Sequence, residues 1–278
     1  MALLEKLVPQ DSIAPVSRVW AGVWLCVIHY MNADFPACLR ITEWTRTQAQ
    51  RLGLDTMIQV SDIYRSYTLY QIGRRAEALE LDARLIEAGD GQKMYTLAYT
   101  LGLDGLHQLH EGHAVRAAEQ LARAIEGSRV TGFVATQAIW QAQRADALID
   151  LGRLDEAEAL MAATRGLVRD PNLRTFDAYY DIVEAGCALA RHDRERALSH
   201  LRSALGGTRP WKQIAKLCWN RHRLPRLFSL ALEAEIEVPM VRRLVRDWRI
   251  APASAADGRW PWPVRVRTLL LAAGVWMS

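Results

Sequence analysis

Three histidines recur at three-residue intervals in the segment LHQLHEGH and form the densest set of side chains that could do chemistry: His107, His110 and His113. His107 and His110 lie about one helical turn apart, so they could share one face of a helix. His113 follows the helix end expected at Gly112, so its side chain should point elsewhere. A zinc site needs three or four converging ligands, and no cysteine or carboxylate stands at a suitable spacing. We therefore predict structural or solvent-facing roles for these histidines, and we expect neither a metal site nor a cofactor.

The sequence carries none of the common motifs of enzyme active sites. It has no nucleophile elbow, no HExxH pair and no glycine-rich dinucleotide fingerprint. The segment GDGQK (89–93) lacks the spacing of a phosphate-binding loop. The carboxylates Asp155, Glu156 and Glu158 are expected at the start of a helix, where the helix dipole favours negative charge. These observations favour a non-enzymatic protein, and a helical-repeat enzyme is the least favoured alternative.

A repeat of about forty residues provides the elements that must position these side chains. In each copy an apolar helical segment ends at a bend, and a polar start rich in alanine leads into the next helix. The bends are centred on Ala33, Gly73, Gly112, Gly152 and His192. They are 40, 39, 40 and 40 residues apart, and such regular spacing predicts five helical hairpins of one kind.

Two columns of small residues keep step with these bends. The column five residues after each bend is Cys38, Ala78, Ala117, Ala157 and Ala197. The column seven residues before each bend is Cys26, Ser66, Gly105, Ala145 and Ala185. Small residues on both helices allow the two helices of a hairpin to approach closely. The columns therefore predict where the helices of each hairpin touch.

One helical hairpin cannot bury its apolar face, so hairpins of this kind stack on their neighbours. The segment ADALIDLGRLDEAEALM resembles a tetratricopeptide repeat, although the forty-residue period exceeds the usual 34. We predict an all-α fold, a right-handed α-solenoid of tetratricopeptide-like hairpins with a short extended tail at the C-terminus. The predicted domains are a repeat array (1–210), terminal capping helices (211–250), and a linker with a strand-like tail that contains VRVRT (251–278).

Aromatic side chains are the candidates for ligand contact. Four tryptophans in repeat helices are interpreted as core residues: Trp20, Trp24, Trp44 and Trp140. In a solenoid the first helix of each hairpin would line a concave groove. The binding candidates on those helices are Tyr64, Tyr67, Trp140, Tyr179 and Tyr180. The sequence leaves open whether these side chains face a groove or the seam between helices.

Charge is unevenly distributed along the chain, whose net charge is +4. From Arg191 onward there are 17 basic and 7 acidic residues. The segment IEVP and the helix after it suggest a helix-turn-helix with a basic patch, formed by Arg242, Arg243, Arg246 and Arg249. A capping hairpin with a solvated basic face explains the pattern as well and is favoured. Direct DNA binding is therefore a less favoured prediction.

The expected location is the cytoplasm. The apolar run VWAGVWLCVI (19–28) is too short to span a bilayer and predicts a buried helix. Four cysteines without a CxxC pair indicate reduced, buried thiols: Cys26, Cys38, Cys187 and Cys218. We expect no membrane contact.

The C-terminal segments LFSLALEAEIEVPMVRRLVRDWRIAP (227–252) and WPWPVRVRTL (260–269) resemble the end of a helical-repeat arm in a bacterial regulator family. These are signal-transduction ATPases of the STAND class, related to MalT-like and LuxR-type transcriptional activators. The resemblance implies a sensor arm whose ligand biases a switch between two states. It also implies a following winged-helix domain, but the sequence continues with TLLLAAGVWMS, and no ATPase domain precedes the repeats. The alternatives are a truncated or frameshifted gene product and a mis-called open reading frame, and neither ATP hydrolysis nor sequence-specific DNA binding is carried over to this chain.

The sequence thus predicts a non-enzymatic module that binds a protein or a small effector in the superhelix groove. A free-standing tetratricopeptide-like adaptor, which binds a protein partner, is the first alternative. A DNA-binding protein that uses the basic C-terminal third is the second.

Overall fold

The structure is a computed structural model, which describes residues 8–9, 12–32, 34–88, 94–168, 176–206, 220 and 223–247. Within these ranges the regular elements are α-helices, and no strand occurs among them. The helices are α1 (Pro15–Met31), α2 (Phe35–Arg51), α3 (Asp55–Gln71), α4 (Arg75–Glu87), α5 (Met94–His110), α6 (Ala114–Thr131), α7 (Val134–Asp150), α8 (Leu154–Leu167), α9 (Asp177–Ala190), α10 (Arg194–Gly206), α11 (Leu224–Glu233) and α12 (Val238–Asp247). The prediction of an all-α protein is confirmed for this part of the chain. The predicted strand-like tail, Arg249 and Cys218 lie outside the described residues.

Tight turns separate the helices at the predicted bends. Gly73, Gly112, Gly152 and His192 have φ values of 90°, 86°, 72° and 62°, a left-handed conformation that ends helices. At Gly152 the N–H of Arg153 donates to the carbonyl of Leu148 at 2.9 Å, which closes the last turn. The fifth bend, Ala33, lies outside the described residues. Gly53 and Gly132 form similar turns midway between the predicted bends, so helices begin about every twenty residues.

The small-residue columns lie in the helix contacts, as predicted. All five residues of the column after the bends have no exposed surface: Cys38, Ala78, Ala117, Ala157 and Ala197. In the first hairpin the Cys38 thiol donates to the Cys26 carbonyl at 3.4 Å. In the second the Ser66 hydroxyl donates to the Ala78 carbonyl at 3.3 Å. In these two hairpins the columns therefore meet where the sequence places them.

The chain divides into two compact units. The first contains the described residues up to Gln108 together with Glu119–Trp140, and the second contains Leu109–Ala118 and the described residues from Gln141 onward. In the first unit α1 packs on α2 and α3, and α3 packs on α2 and α4. In the second unit α9 packs on α8, α10 and α11, and α11 packs on α12. Each unit thus consists of helices packed on their sequence neighbours and on the next helix but one.

Trp140 is a core residue, as predicted, and it depends on a glycine. Its side chain is 2% exposed, and Tyr99 packs edge-on against it with ring centroids 5.8 Å apart. A Cβ atom on Gly102 would lie 2.3 Å from the indole ring, which no relaxed contact allows. Gly102 therefore creates the space that the indole occupies.

Candidate functional site

A fully buried polar network joins α3, α4 and α5 in the first unit. Asp82 accepts a hydrogen bond from the Ser66 hydroxyl at 2.5 Å, and His107 Nδ1 lies 2.7 Å from its other oxygen. The His107 ring stacks on Tyr70, with centroids 4.0 Å apart and planes 9° from parallel. The side chains of Asp82 and His107 are each 1% exposed. The residue types resemble a catalytic triad, but here the carboxylate lies between serine and histidine, and the network is closed to solvent.

The network explains the histidines that the sequence singled out. His107 ties α5 to α4 through Asp82, and His110 is buried on the same helix. His113 lies in the turn after α5 and is exposed. These positions agree with structural roles for His107 and His110 and with a solvent-facing role for His113. The Asp82 partner, 25 residues from His107, carries no sequence signal that distinguishes it from other helix carboxylates.

The predicted aromatic binding residues pack inside the molecule rather than lining an open groove. Tyr67, Trp140 and Tyr179 are 2% exposed and Tyr180 is 0% exposed. Tyr64 is half-buried and joins Tyr30 and Tyr67 in an aromatic cluster, with ring centroids 5.1 to 6.1 Å apart. The apolar seam between helices takes these rings because it removes their large surfaces from water.

An open groove does exist, between α2, α3 and α4 of the first unit. Its charged and polar lining is Arg46, Gln59, Asp62, Arg65, Glu77, Glu80 and Arg84. Three buried leucines, Leu69, Leu81 and Leu85, contribute apolar surface to it. Successive helices therefore each place one arginine at this groove.

The arginines of this groove are partnered to different degrees. Arg46 donates to the Asp62 carboxylate at 3.0 Å, and Arg65 donates to Glu43 at 3.0 Å. The Arg84 side chain is exposed and makes neither a hydrogen bond nor an ion pair with any residue that the structure describes, although its charge acts on Asp62. Burial raises the pKa of Asp62, and the charge and hydrogen bond of Arg46 offset this only in part. The groove therefore presents guanidinium groups around an incompletely compensated carboxyl group.

A second charged cluster, centred on Arg165, joins α8, α9 and α10. Arg165 donates to Asp177 at 3.3 Å and to Asp181 and Glu184 at 2.5 Å each, and its guanidinium lies 5.5 Å from the Tyr180 ring centre. Burial raises the pKa of Asp181, but His200, whose Nδ1 lies 3.6 Å away, the hydrogen bond from Ser203 and the charge of Arg165 outweigh it, so the net shift is downward.

Asp181, Glu184 and His200 are spaced so that one metal ion could touch all three. Arg165, however, already binds the carboxylate oxygens that face this space. The guanidinium supplies the positive charge that a metal ion would bring. The arrangement is therefore a structural ion-pair network that links three helices.

The described arginines of the basic patch lie on α12, whose apolar side chains are buried. Val241, Leu244 and Val245 are buried, whereas Arg243 and Arg246 are exposed and Arg242 is half-buried. One arginine of the basic third is instead buried: Arg223 contacts the carboxylates Asp146 and Asp150. Composition alone could not separate this buried ion pair from the solvated ones.

The prediction that Trp20 and Trp24 belong to the core is wrong. They are 48% and 55% exposed and lie with Val16, which is 45% exposed, at four-residue intervals on one face of α1. Trp44 is half-buried. Residues on the opposite face, Val19 and Val23 among them, form the core contact. Hydrophobicity alone marked α1 as buried, whereas it is covered on one side.

Comparisons of the chain with protein-family models, curated proteins and solved structures found no match. The helices that the structure describes include none long and apolar enough to cross a membrane. Three cysteines are free thiols and buried: Cys26, Cys38 and Cys187. Burial raises the pKa of Cys26 to about 12 and that of Cys38 to about 11, so neither thiol is a nucleophile at neutral pH.

Proposed function

We propose that this chain is a non-enzymatic helical-repeat module that binds a protein partner in the groove between α2, α3 and α4. The observation that carries the proposal is the set of three arginines, Arg46, Arg65 and Arg84, which successive helices present beside apolar surface. Guanidinium groups bind carboxylates through paired hydrogen bonds. Because the carboxylates of Asp62, Glu77 and Glu80 line the same groove, the ligand is a peptide segment that carries an acidic, a basic and at least one apolar side chain.

The use of the other polar side chains supports a binding role over a catalytic one. Ser66, Asp82 and His107 satisfy one another inside the core, and Arg165 neutralises the carboxylates of α9. Among the described residues these are the arrangements closest to catalytic geometry, and each is engaged in holding helices together. A general acid or base must reach a substrate, and the buried network cannot.

The regular hairpins support the finer fold proposal, a right-handed α-solenoid of tetratricopeptide-like repeats. Repeat arrays of this kind present surfaces that bind peptides and protein segments. The proposed relation to the sensor arm of STAND-class regulators, MalT-like or LuxR-type, rests on the C-terminal sequence resemblance. The buried free thiols support a cytoplasmic location.

The experiment is affinity purification from the source cells with the tagged chain and two variants. R65E/R84E reverses two groove charges, and R123E reverses an exposed charge on α6 as a matched control. We expect a stoichiometric protein partner that the parent chain and R123E retain and that R65E/R84E loses at least tenfold. A partner retained equally by all three chains would place binding elsewhere, and recovery of no partner would contradict the proposal.

A small acidic effector is the second candidate, favoured by the unpartnered guanidinium of Arg84. Mass spectrometry of small molecules released from the purified chain tests it, because R65E/R84E should release less of such a compound than R123E does. DNA binding through Arg243 and Arg246 is the third candidate. Duplex retention that falls steeply with salt, and that is lost in R243E/R246E, would support it.

A further inference from the structure

The charges at the groove between α2, α3 and α4 follow the same order along each helix. An acidic residue comes first and an arginine follows about one turn later, which places both side chains on one face of the helix. The pairs are Glu43 and Arg46 on α2, Asp62 and Arg65 on α3, and Glu80 and Arg84 on α4. All of these except Glu43 line the groove, and Glu43 accepts a hydrogen bond from Arg65. Three successive helices therefore present one short charge motif.

The contact between α2 and α3 shows how two copies of this motif combine. Arg46 donates to Asp62 at 3.0 Å. Arg65 donates to Glu43 at 3.0 Å. The earlier residue of one pair meets the later residue of the other, so the two helices run in opposite directions along this contact. Two antiparallel helices with the same order of charges can thus pair every charge, and the chain itself provides the template for a complementary partner.

Among the described residues, the motif on α4 has no such partner. Glu80 and Arg84 are exposed, and neither makes a hydrogen bond or an ion pair with any residue that the structure describes. The charge of Arg84 acts on Asp62, but that carboxyl group already accepts a hydrogen bond from Arg46. Helix α4 therefore offers a ligand one acidic and one basic group, about 6 Å apart along the helix axis.

The shape of the groove fits a helix. Helices α2 and α4 each pack on α3 and make no comparably extensive contact with each other, so α3 forms the floor and the other two helices form the walls. The lining extends from Gln59 to Leu69 on α3 and from Glu77 to Ala88 on α4, a length of about 15 Å or three helical turns. A helix laid in this cleft contacts all three helices, as the fourth helix of a bundle does.

We propose that the partner binds this groove with an amphipathic α-helix that runs antiparallel to α4 and carries an acidic residue followed about one turn later by an arginine or lysine. Its acidic group pairs with Arg84 and its basic group with Glu80, which repeats the pairing of α2 with α3. An apolar residue beside them packs against Leu81 and Leu85. This narrows the ligand of the proposed function, on which the inference rests, to a helix with a defined order of charges.

Fluorescence anisotropy of labelled peptides, titrated with the full chain, tests the proposal. The probe is an alanine-based helical peptide of about 15 residues, with one glutamate, one arginine four residues later, and leucines on the same face. A second peptide has lysine in place of the glutamate. A third has the residues of the probe and a central proline, which breaks the helix.

We expect the parent chain to bind the probe at least tenfold more tightly than either of the other peptides. R84E should bind the probe at least tenfold more weakly and should bind the lysine peptide instead, because reversing both charges restores the pair. R123E is the matched control and should bind like the parent chain, since Arg123 is exposed on α6 and also follows a glutamate, Glu119, by four residues. Circular dichroism of each variant establishes that the helices remain.

Equal binding of the probe and the proline peptide, both weakened in R84E, would overturn the helical ligand and leave the groove as the binding site. Binding that R84E does not change, or a lysine peptide that R84E does not bind, would overturn the pairing with Arg84. Failure of all three peptides to bind would overturn this inference alone. The proposed function fails separately, if affinity purification recovers no partner that R65E/R84E loses.

Discussion

Arg46–Asp62 in the first unit and Arg165–Asp181 in the second are the same chemical pair in two settings. Exposure barely differs: the arginine side chains are 33% and 31% exposed, and the aspartates are 13% and 12% exposed. The pKa of Asp62 is nevertheless raised, whereas that of Asp181 is lowered. Asp181 accepts hydrogen bonds from Ser203 and Arg165 and lies 3.6 Å from His200 Nδ1, but Asp62 depends mainly on Arg46. The number of hydrogen-bond partners, rather than burial, therefore decides whether the pKa of the aspartate is raised or lowered.

The opposite pKa shifts of Asp62 and Asp181 assign different roles to the two charged clusters. A carboxylate whose charge is fully compensated stabilises the fold and has little left to offer a ligand. A carboxyl group that is under-compensated, in an open groove beside the exposed Arg84, leaves charges of both signs for a ligand to pair. The Arg165 cluster therefore holds helices together, and the Asp62 groove is the place for recognition.

The largest effect on stability is expected at Asp82, a carboxylate that is shielded from solvent. D82A would leave the His107 ring without its acceptor inside the core, and it would leave the Ser66 hydroxyl with only the longer contact to the Ala78 carbonyl, at 3.3 Å. Each buried group that loses its partner costs about 1–3 kcal/mol, so we expect a loss of about 3–5 kcal/mol in the free energy of unfolding. Urea denaturation measures it. S66A, which leaves the Asp82–His107 contact intact, should cost clearly less; an equal cost would show that the histidine contact contributes little.

Replacement of Arg165 and of Arg46 should lower the free energy of unfolding by different amounts, which tests the two roles directly. R165M leaves Asp181 and Glu184 close together without their cation, and we expect it to cost about 2–3 kcal/mol, below the value for fully buried pairs because the site is partly exposed. R46M should cost about 1 kcal/mol or less. Urea denaturation of both variants is the measurement, and equal losses would refute the distinction between the clusters.

Helices should pack equally tightly at the small-residue column in both units. The difference between the units should therefore be confined to their charged clusters. A78L and A157L each place a larger side chain at a position with no exposed surface, and we expect each to cost about 1–3 kcal/mol. A76L and A159L, two residues away at exposed positions of the same helices, are the controls and should be nearly neutral. Unchanged melting temperatures in A78L and A157L would mean that these columns are not contact positions.

The smallest effects are expected at low pH, where substitution of Asp181 and of Asp62 should change the pH dependence of stability in opposite directions. A lowered folded-state pKa means that Asp181 contributes stability above its unfolded pKa of about 3.9, and this is lost as pH falls toward the folded value. A raised pKa means that the contribution of Asp62 is present below about 3.9 and is lost as pH rises through its folded value. Urea titrations from pH 6 to pH 3 should show a flatter acid loss in D181N and a steeper one in D62N, by about 0.5–1 kcal/mol. Changes in the same direction would contradict the opposite shifts.

Periodicity allowed much of this fold to be predicted. A left-handed turn needs a glycine or an exposed polar residue, and a close helix contact needs a small residue. Both requirements are local, so the sequence shows them directly at Gly73, Gly152, Ala78 and Ala157. Gly53 and Gly132 were missed because their turns join one hairpin to the next, where the flanking columns give no aligned signal.

The candidate site was not predictable in the same way. The groove depends on arginines from three helices, and no spacing rule connects Arg46 with Arg65 or Arg84. Burial of tyrosines and exposure of tryptophans both contradict average preference, because the side that a neighbour covers is decided by tertiary packing. Tyr180 beneath Arg165 and Trp24 on the outer face of α1 illustrate the two cases.

The fit of Trp140 against Gly102 also restricts how this sequence can evolve. A methyl group at position 102 collides with the ring, and a smaller side chain at position 140 leaves a cavity in its place. Neither replacement is tolerated alone, whereas the two together can restore a filled interior. Related chains that diverge here should therefore change both positions as a pair, and a lineage that has replaced one will have made reversion of the other costly.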